Sequence, residues 1–228
     1  MKKLIIAAIA VTSLYAVAQE ETAELATERV SSAWRLTVGG FGRGSMHMTP
    51  NEMQRGRFEL YGADADLLVN VVETEDFDVW AGVGFGWAPN QKVYNKTDTS
   101  FAPAYNKEKN ELQYGELRLM LEPEWKATEA LSFGLRLGAA FDWVRCRNHW
   151  EGGIPGIIVI DGSDTYNKLM VQGIVGVQTI YMLTDHLGLY ANIDWRGGGK
   201  HMLKRYGENY GKLSLDGWYA GAGAVVQF

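Results

Sequence analysis

Residues 131–144 read LSFGLRLGAAFDWV, and two kinds of side chain alternate along them. The odd positions hold Leu, Phe, Ala or Trp, whereas the even positions hold Ser, Gly, Arg, Ala, Asp or Val. A period of two places successive side chains on opposite faces of a β-strand. The stretch therefore predicts a strand with one wholly apolar face and a second face that carries both charges.

The same period recurs in seven other segments beyond residue 32. In residues 187–196, for example, Leu189 and Ile193 share one parity, while Asp194 and Arg196 share the other. Helical spacing is not sustained in this part of the chain. The remaining segments are residues 34–41, 60–71, 77–87, 115–123, 169–181 and 218–228. Together the segments predict an all-β fold of eight antiparallel strands.

Alternation alone does not say which face is inside, because a soluble barrel buries the apolar face and a membrane barrel turns it to lipid. The polar faces are rich in glycine and carry charges of both signs. That mixture suits a narrow lumen in which every charge needs a partner. We therefore predict a barrel-interior charge network formed by Asp64, Asp66, Glu116, Arg118, Arg136, Asp142, Asp194 and Arg196.

Aromatic residues on the apolar faces fall at two levels about ten residues apart, which is the reach of a tilted strand across the hydrocarbon layer. Such levels are typical of the two aromatic girdles of a membrane barrel. The first level contains Phe77, Trp125, Phe133, Tyr181 and Phe228, and the second contains Trp87, Trp143 and Trp195.

The connections between strands alternate in length. Short turns are predicted near residues 73–76, 126–130 and 184–186, and long connections over residues 44–57, 88–110, 147–164 and 197–213. Outer-membrane barrels have short periplasmic turns and longer outer loops. These features together favour an up-and-down transmembrane barrel over residues 32–228.

The amino terminus has the pattern of a secretory signal. Lys2 and Lys3 precede an apolar run that ends in Ala16-Val17-Ala18, and the run is too short to span a bilayer. We predict a signal peptide over residues 1–18. The acidic residues 19–31 then form a periplasmic leader before the barrel.

With its signal, eight strands, four long loops and a terminal strand AGAGAVVQF over residues 220–228, the chain resembles the small OmpA-like and OmpX-like outer-membrane barrels. The resemblance implies location in the bacterial outer membrane. It also implies that Ala224, Val226 and Phe228 form a C-terminal assembly signal for the outer-membrane insertion machinery. Since the strands occupy nearly all of the chain, we expect none of the peptidoglycan-binding domain that larger OmpA-type proteins carry.

Composition excludes several classes of protein. The net charge is −5, so the chain lacks the basic surface expected of a nucleic-acid-binding protein. Cys146 is the single cysteine, and no Cys/His cluster with metal-ligand spacing is present. We predict no metal site and no cofactor.

An eight-stranded barrel is just wide enough inside for its own side chains. We therefore predict a barrel plugged by polar residues, with a structural or surface-interaction role. A narrow gated ion channel or small porin is the alternative, and a lipid-modifying enzyme is the third possibility. No catalytic motif surrounds His47, His149, His186 or His201, so we predict no catalytic residues.

The fourth long loop concentrates positive charge on an acidic protein. Lys200, Lys204, Arg205 and Lys212 accompany a single acid, Glu208, within it. Phosphates of the outer leaflet are natural counter-ions for such residues. Outer-membrane lipids and lipopolysaccharide are the predicted partners of this loop. The alternative is that these basic residues only keep the loop solvated.

Overall fold

The computed structural model describes residues 33–51, 54–98, 105–154, 158–205 and 208–228. The predicted signal peptide and the predicted leader lie outside these residues. Ten β-strands occur in the described part. They are β1 Trp34–Asn51, β2 Gln54–Glu73, β3 Phe77–Asp98, β4 Tyr105–Lys126, β5 Leu131–Ile154, β6 Ile158–Met182, β7 Leu187–Gly197, β8 Lys200–Arg205, β9 Glu208–Ser214 and β10 Gly217–Gln227.

Eight of these strands form a closed antiparallel ring. Neighbours in sequence pair with each other from β1 to β7, β7 pairs with β10, and β10 closes the ring against β1. In the closing pair, Leu36 lies opposite Val226 and Val38 opposite Ala224. Closure leaves no free sheet edge within the ring, which is the condition for crossing lipid with strands. The predicted eight-stranded up-and-down barrel is confirmed.

Exposure settles which face is inside. The side chains of Val83 and Leu189 are 46% and 47% exposed, whereas those of Glu116, Arg136 and Asp194 are 2% exposed or less. A soluble barrel would show the opposite pattern. The apolar exterior together with the ionic interior therefore makes this a transmembrane barrel.

Two rings of aromatic side chains bound the apolar exterior. Trp34, Trp125 and Phe228 are exposed at the end with the short turns, and Trp87 and Trp143 are exposed at the other end. Some of these rings contact each other across strands: Phe77 meets Trp125 at 5.3 Å between centroids, and Trp195 meets Trp218 at 5.0 Å. The predicted girdle residues thus lie at the two edges of the apolar band.

The long connections are mostly strand rather than loop. The ladder between β5 and β6 continues without a break to Ile154 opposite Ile158, through residues that the sequence predicted as loop. Beyond the outer girdle the outward residues are charged or polar, as Arg145 and Arg147 of β5 are, so the apolar outward face that predicts a membrane strand disappears although the hydrogen-bonded ladder goes on.

The last long connection contains a hairpin that the sequence did not predict. β8 and β9 pair with each other, and β9 also pairs with the outer part of β1, where His47 lies opposite Ser214. The chain enters the hairpin through Gly198, whose positive φ of 103° favours glycine. Its short, charged strands carry little alternation of their own and form because β1 offers a free edge.

No helix in the described residues is long and apolar enough to cross a membrane.

Candidate functional site

Glycines on the inner face of the barrel make room for the charges. A Cβ on Gly84 would overlap the Asp66 carboxylate and the Arg118 guanidinium, and one on Gly86 would overlap Glu116. β3 therefore supplies a nearly bare strip of inner wall against which longer side chains from β2 and β4 pack. This explains why the polar parity of residues 77–87 is so rich in glycine.

Arg136 lies at one centre of the interior network. Its Nε donates to Glu122 at 2.9 Å, its Nη1 to Asp194 at 3.1 Å and its Nη2 to Asp66 at 3.0 Å. These acids come from β4, β7 and β2, so one guanidinium from β5 links four strands across the lumen. Three carboxylates around a single cation are tolerated only where each has further donors.

Arg118 forms the second centre. Its guanidinium lies 2.8 Å from Asp66, 3.2 Å from Asp64 and 3.1 Å from Glu116. Because Asp66 contacts both Arg118 and Arg136, the two centres form one network.

Arg196 completes a circuit of ion pairs. It pairs with Glu116 and lies 3.5 Å from Asp194, and its guanidinium carbon lies 3.7 Å from the centroid of the Tyr219 ring. Asp194 in turn contacts Arg136. The three arginines and four of the predicted acids are thus joined directly, and every charge has a partner of opposite sign.

Asp142 joins the network through a tyrosine. The hydroxyl of Tyr114 lies 2.7 Å from Asp142 and 2.5 Å from Glu116, and Arg43 lies 3.9 Å from Asp142. The structure thus brings all eight predicted interior residues into one connected and buried cluster. Their relative exposures are all 5% or less.

Five further charged residues belong to the interior and were not part of the predicted network. Arg35 pairs with Glu124 and stacks on Trp80 at 4.0 Å, and Arg43 donates to Gln172 and to the Leu215 carbonyl. All five lie on the inward parity of their strands, which was the signal available for finding them. Glu124 and Arg43 fall just beyond the predicted strand ends. The five residues are Arg35, Arg43, Asp78, Glu122 and Glu124.

An apolar layer closes the outer end of the lumen above the ionic network. Phe41 stacks on Tyr219 at 4.9 Å between centroids, and Leu213 and Leu215 reach this layer from the segment that follows the β8–β9 hairpin turn. Its members are buried. They are Phe41, Met46, Phe58, Leu60, Ala88, Leu112, Tyr114, Val144, Cys146, Met170, Leu213, Leu215 and Tyr219. The lumen is therefore filled by side chains from the ionic network to its outer end.

The predicted basic loop is only partly described. Lys200 and Lys212 are exposed, while Lys204 and Arg205 lie in β8 with side chains outside the description. Lys200 Nζ lies 2.9 Å from Asp216, whose other carboxylate oxygen accepts hydrogen bonds from the Gly198 and Gly199 amides. Partial burial raises the pKa of Asp216, but the Lys200 ammonium and these amides outweigh it and hold the pKa below its usual value. Lys200 thus anchors the hairpin.

Of the predicted assembly signal, Ala224 and Val226 lie on the outer face of β10, and Phe228 directly follows the strand. Ala224 and Phe228 are exposed and Val226 is half-buried. The amide of Phe228 donates to the Trp34 carbonyl at 3.0 Å, so the end of the chain is held against the start of β1.

His149 and His186 lie at opposite ends of the barrel. His149 is exposed on β5, whereas His186 lies in a short turn with Nδ1 3.0 Å from the Gln227 carbonyl. Among the side chains that the structure describes, no group of three or more His, Cys, Asp or Glu is arranged to hold a metal ion.

The chain is similar to several solved structures of bacterial outer-membrane proteins. The crystal structure of Ail, the attachment invasion locus protein of Yersinia pestis, matches 87% of this chain and 100% of its own, with 12% identity and a TM-score of 0.45. The outer membrane protein OprG from Pseudomonas aeruginosa matches 87% and 96%, with 9% identity and a TM-score of 0.46. The outer membrane protease OmpT from Escherichia coli matches 91% and 100%, with 12% identity and a TM-score of 0.42. No family model and no curated protein matches the sequence. At these identities the likeness concerns the fold alone.

Proposed function

We propose that this chain is an integral outer-membrane protein whose sealed barrel acts as a structural wall and whose specific activity lies on its outer surface. The observation that carries the proposal is the filled lumen. Five buried arginines are surrounded by eight buried carboxylates, and an apolar layer lies above them. An ion that entered this space would have to displace charge pairs that are already made, which is costly in a low-dielectric interior.

Electrical recording tests the sealed barrel against the alternative of a narrow gated channel. Refolded protein is added to a planar lipid bilayer, after its folding has been checked by the different gel mobility of unheated and heated samples. We expect no stable unitary currents from folded protein. Reproducible unitary currents would show that the ion pairs exchange partners and open a path, and the channel alternative would then replace the structural role.

A variant of the apolar layer shows what the absence of currents in the wild type means. Leu213→Ser/Leu215→Ser keeps every charge and places hydroxyl groups within the apolar layer. If that layer is the outer seal, this variant should show brief currents that the wild type lacks. If both proteins are silent, the ionic network alone is sufficient to close the barrel.

We propose no enzymatic activity, and the third possibility of lipid modification has its own test. His47→Ala, His149→Ala and His201→Ala are combined in one chain that is expressed in place of the wild type. Extracted envelope lipids should have the same mass-spectrometric profile in both cases. A lipid species lost with the histidines would identify an enzyme.

We also propose that residues 1–18 are removed on export, that residues 19–31 form the leader, and that Ala224, Val226 and Phe228 direct assembly. N-terminal sequencing of the mature protein should begin at Gln19. Removing Phe228 should lower the folded fraction recovered from outer membranes far more than it lowers the yield of spontaneous refolding in detergent. An equal effect in both settings would indicate a role in stability rather than in recognition by the insertion machinery.

A further inference from the structure

The charges buried inside the barrel do not balance. Among the described residues, five buried arginines face eight buried carboxylates, and Lys126 pairs with one of these acids at the end with the short turns. The described interior thus holds two carboxylates more than its cations neutralise. An ionised carboxylate without a cation is costly in a low-dielectric interior, and such a group takes up a proton instead.

Distances single out Asp142 as the least compensated acid. Seven of the eight described carboxylates have a cation nitrogen within 3.2 Å. Asp142 is the exception, because Arg43 lies 3.9 Å from it, which is beyond hydrogen-bonding distance. Both side chains are fully buried, so bulk water does not screen the carboxyl group of Asp142.

The hydroxyl of Tyr114 gives a second, independent observation. Its oxygen lies 2.6 Å from Arg43 Nη1, 2.5 Å from Glu116 Oε2 and 2.7 Å from Asp142 Oδ1. A phenol has one hydrogen to donate and two lone pairs that accept. Arg43 donates to this oxygen and one carboxylate accepts its hydrogen. The third contact is a hydrogen bond only if the other carboxyl group carries a hydrogen of its own.

The cations nearby decide which carboxyl group carries that hydrogen. Glu116 pairs with Arg196 and lies 3.1 Å from Arg118, so its ionised form is well compensated. Asp142 has no such contact. The hydrogen count and the ion-pair distances therefore agree that Asp142 is the protonated acid and Glu116 the ionised one.

Neighbouring strands supply no further partner that would keep Asp142 ionised. The charged and titratable groups that face it are Arg43 from β1, Tyr114 and Glu116 from β4 and Arg196 from β7. On β6, Met170 lies opposite Asp142 and does not ionise. Arg196 is engaged by Glu116 and Arg43 donates to Tyr114, so both cations already have other partners.

Arg43 connects this group of residues to the outer seal. Its Nη2 donates to Gln172 at 2.7 Å and to the Leu215 carbonyl at 2.8 Å, and Leu215 belongs to the apolar layer. An ionised Asp142 would attract the Arg43 guanidinium across the gap of 3.9 Å, because opposite charges attract strongly in a low-dielectric interior. That movement would withdraw the hydrogen bond from the Leu215 carbonyl.

We propose that Asp142 holds a proton that keeps the outer seal closed, and that loss of this proton as the pH rises loosens the apolar layer. In the closed state Asp142 donates its proton to the Tyr114 oxygen, and Tyr114 donates its own to Glu116. On release the O–H bond of Asp142 breaks, the electron pair stays on the carboxylate and the proton passes to a base in the surrounding water. The inference rests on the proposed sealed barrel and adds control of the seal by pH.

Infrared spectroscopy of the refolded protein in vesicles tests the proton directly. At about pH 5.5, well above the ordinary aspartate pKa of about 4, ordinary carboxyl groups are ionised. We expect the wild type to retain the C=O band of a protonated carboxyl group, and Asp142→Asn to lose it. Asp64→Asn is the matched control, since Asp64 is also buried but lies 3.2 Å from Arg118, and it should keep the band.

Stability and conductance at two pH values test the switch. While Asp142 stays protonated, the folded barrel binds one proton more than the unfolded chain, so its stability must fall as the pH rises. From about pH 5.5 to about pH 8.5 the unfolding equilibrium constant of the wild type should rise at least about tenfold relative to that of Asp142→Asn. Brief currents should appear in the wild type at the higher pH and be absent from the variant.

Tyr114→Phe provides a second variant that keeps both carboxyl groups. The band should shift in frequency in this variant, because Asp142 loses its acceptor, and an unshifted band would overturn the hydrogen bond to Tyr114. An equal band in the wild type and Asp142→Asn would overturn the proton site, as would parallel pH dependence of their stabilities. All proteins are first checked for folding by gel mobility.

Failure of the proton site and failure of the sealed barrel are distinguishable. A missing infrared band refutes the proton site whatever the currents are. Stable unitary currents from the wild type at both pH values refute the sealed barrel, and the infrared band does not depend on them.

Discussion

Removing one interior arginine is the strongest test of how the barrel is held together. Arg136→Met keeps an unbranched, flexible side chain and deletes the charged group that lies within hydrogen-bonding distance of Glu122, Asp194 and Asp66. The variant leaves three buried carboxylates with one donor fewer each. Methionine adds no polar atom to compensate.

The expected magnitude follows from what those carboxylates retain. Asp66 keeps Arg118 at 2.8 Å, while Asp194 keeps Arg196 at 3.5 Å and Glu122 keeps Arg35 at 3.6 Å. Breaking a buried ion pair by removing one partner costs about 3–5 kcal/mol. Because each acid has a second cation, we expect the lower end, about 3 kcal/mol, which is about a hundredfold in the unfolding equilibrium.

Arg145→Gln is the matched control for Arg136→Met. Both residues lie on β5, but Arg145 is exposed and points away from the lumen. Surface substitutions of this kind usually change stability by less than about 0.5 kcal/mol. Stability is measured by urea unfolding in lipid vesicles, with tryptophan fluorescence and gel mobility as independent probes.

A double variant shows whether the loss comes from the network. Glu122→Gln removes one of the acids that Arg136 neutralises, so the combined variant should cost less than the sum of the two single variants, by about 1–3 kcal/mol. If Arg136→Met were no more destabilising than Arg145→Gln, the interior network would contribute nothing to stability. The reasoning about paired charges in the lumen would then fail.

Three other changes test the inner wall, the outer wall and the hairpin. Gly84→Ala should destabilise the barrel by about 1–3 kcal/mol in the same urea assay, because the added Cβ meets the Asp66 and Arg118 side chains. Gly173→Ala, whose added Cβ meets only open space, should be nearly neutral. Leu137→Arg, on the lipid face between the girdles, should cost about 2–4 kcal/mol, with a smaller loss when the bilayer is thinner; a neutral effect would contradict the orientation of the strand. Asp216→Asn should lower the hydrogen-exchange protection of the β8–β9 hairpin at neutral pH. Because the pKa of Asp216 is lowered in the folded protein, its stabilisation is complete above the ordinary aspartate pKa of about 4 and is lost as pH falls through the lower folded value, so wild type and variant should converge in acid. Convergence at neutral pH would show that the carboxylate does not anchor the hairpin.

The two faces of each strand were predictable because alternation is a local property of the backbone. Residues next to each other point to opposite faces in any strand, so Leu135 and Arg136 had to separate whatever the tertiary structure. The glycine content and mixed charge of the polar faces, together with the two aromatic levels on the apolar faces, then indicated that the apolar faces contact lipid and the charged faces line the lumen. The resulting prediction of a closed eight-stranded barrel needed no information about which strands touch across the lumen.

The pattern of ion pairs was not predictable in the same way. Arg118 and Asp64 are separated by 54 residues, and they meet only because closure and strand tilt bring β4 opposite β2 inside the tube. Nothing in the local sequence distinguishes that partner from the other inward acids. The sequence thus named eight members of the network, but the register of the closed ring decided which acids contact which arginines.

The sequence by itself determined that each membrane strand has one apolar and one charged face. The parity of apolar and charged residues is set by covalent order and by the geometry of an extended chain. Only the tertiary structure decided how the wall continues beyond the membrane. There, β5 and β6 persist although their outward residues are no longer apolar, and the β8–β9 hairpin forms against the edge of β1. These elements depend on hydrogen bonds between distant segments, which a local pattern does not record. The outward direction of Arg145 and Arg147 above Trp143 follows from the sequence and the tertiary structure together. Parity places these residues on the same face as Trp143, and the continued ladder with β4 keeps that face turned outward.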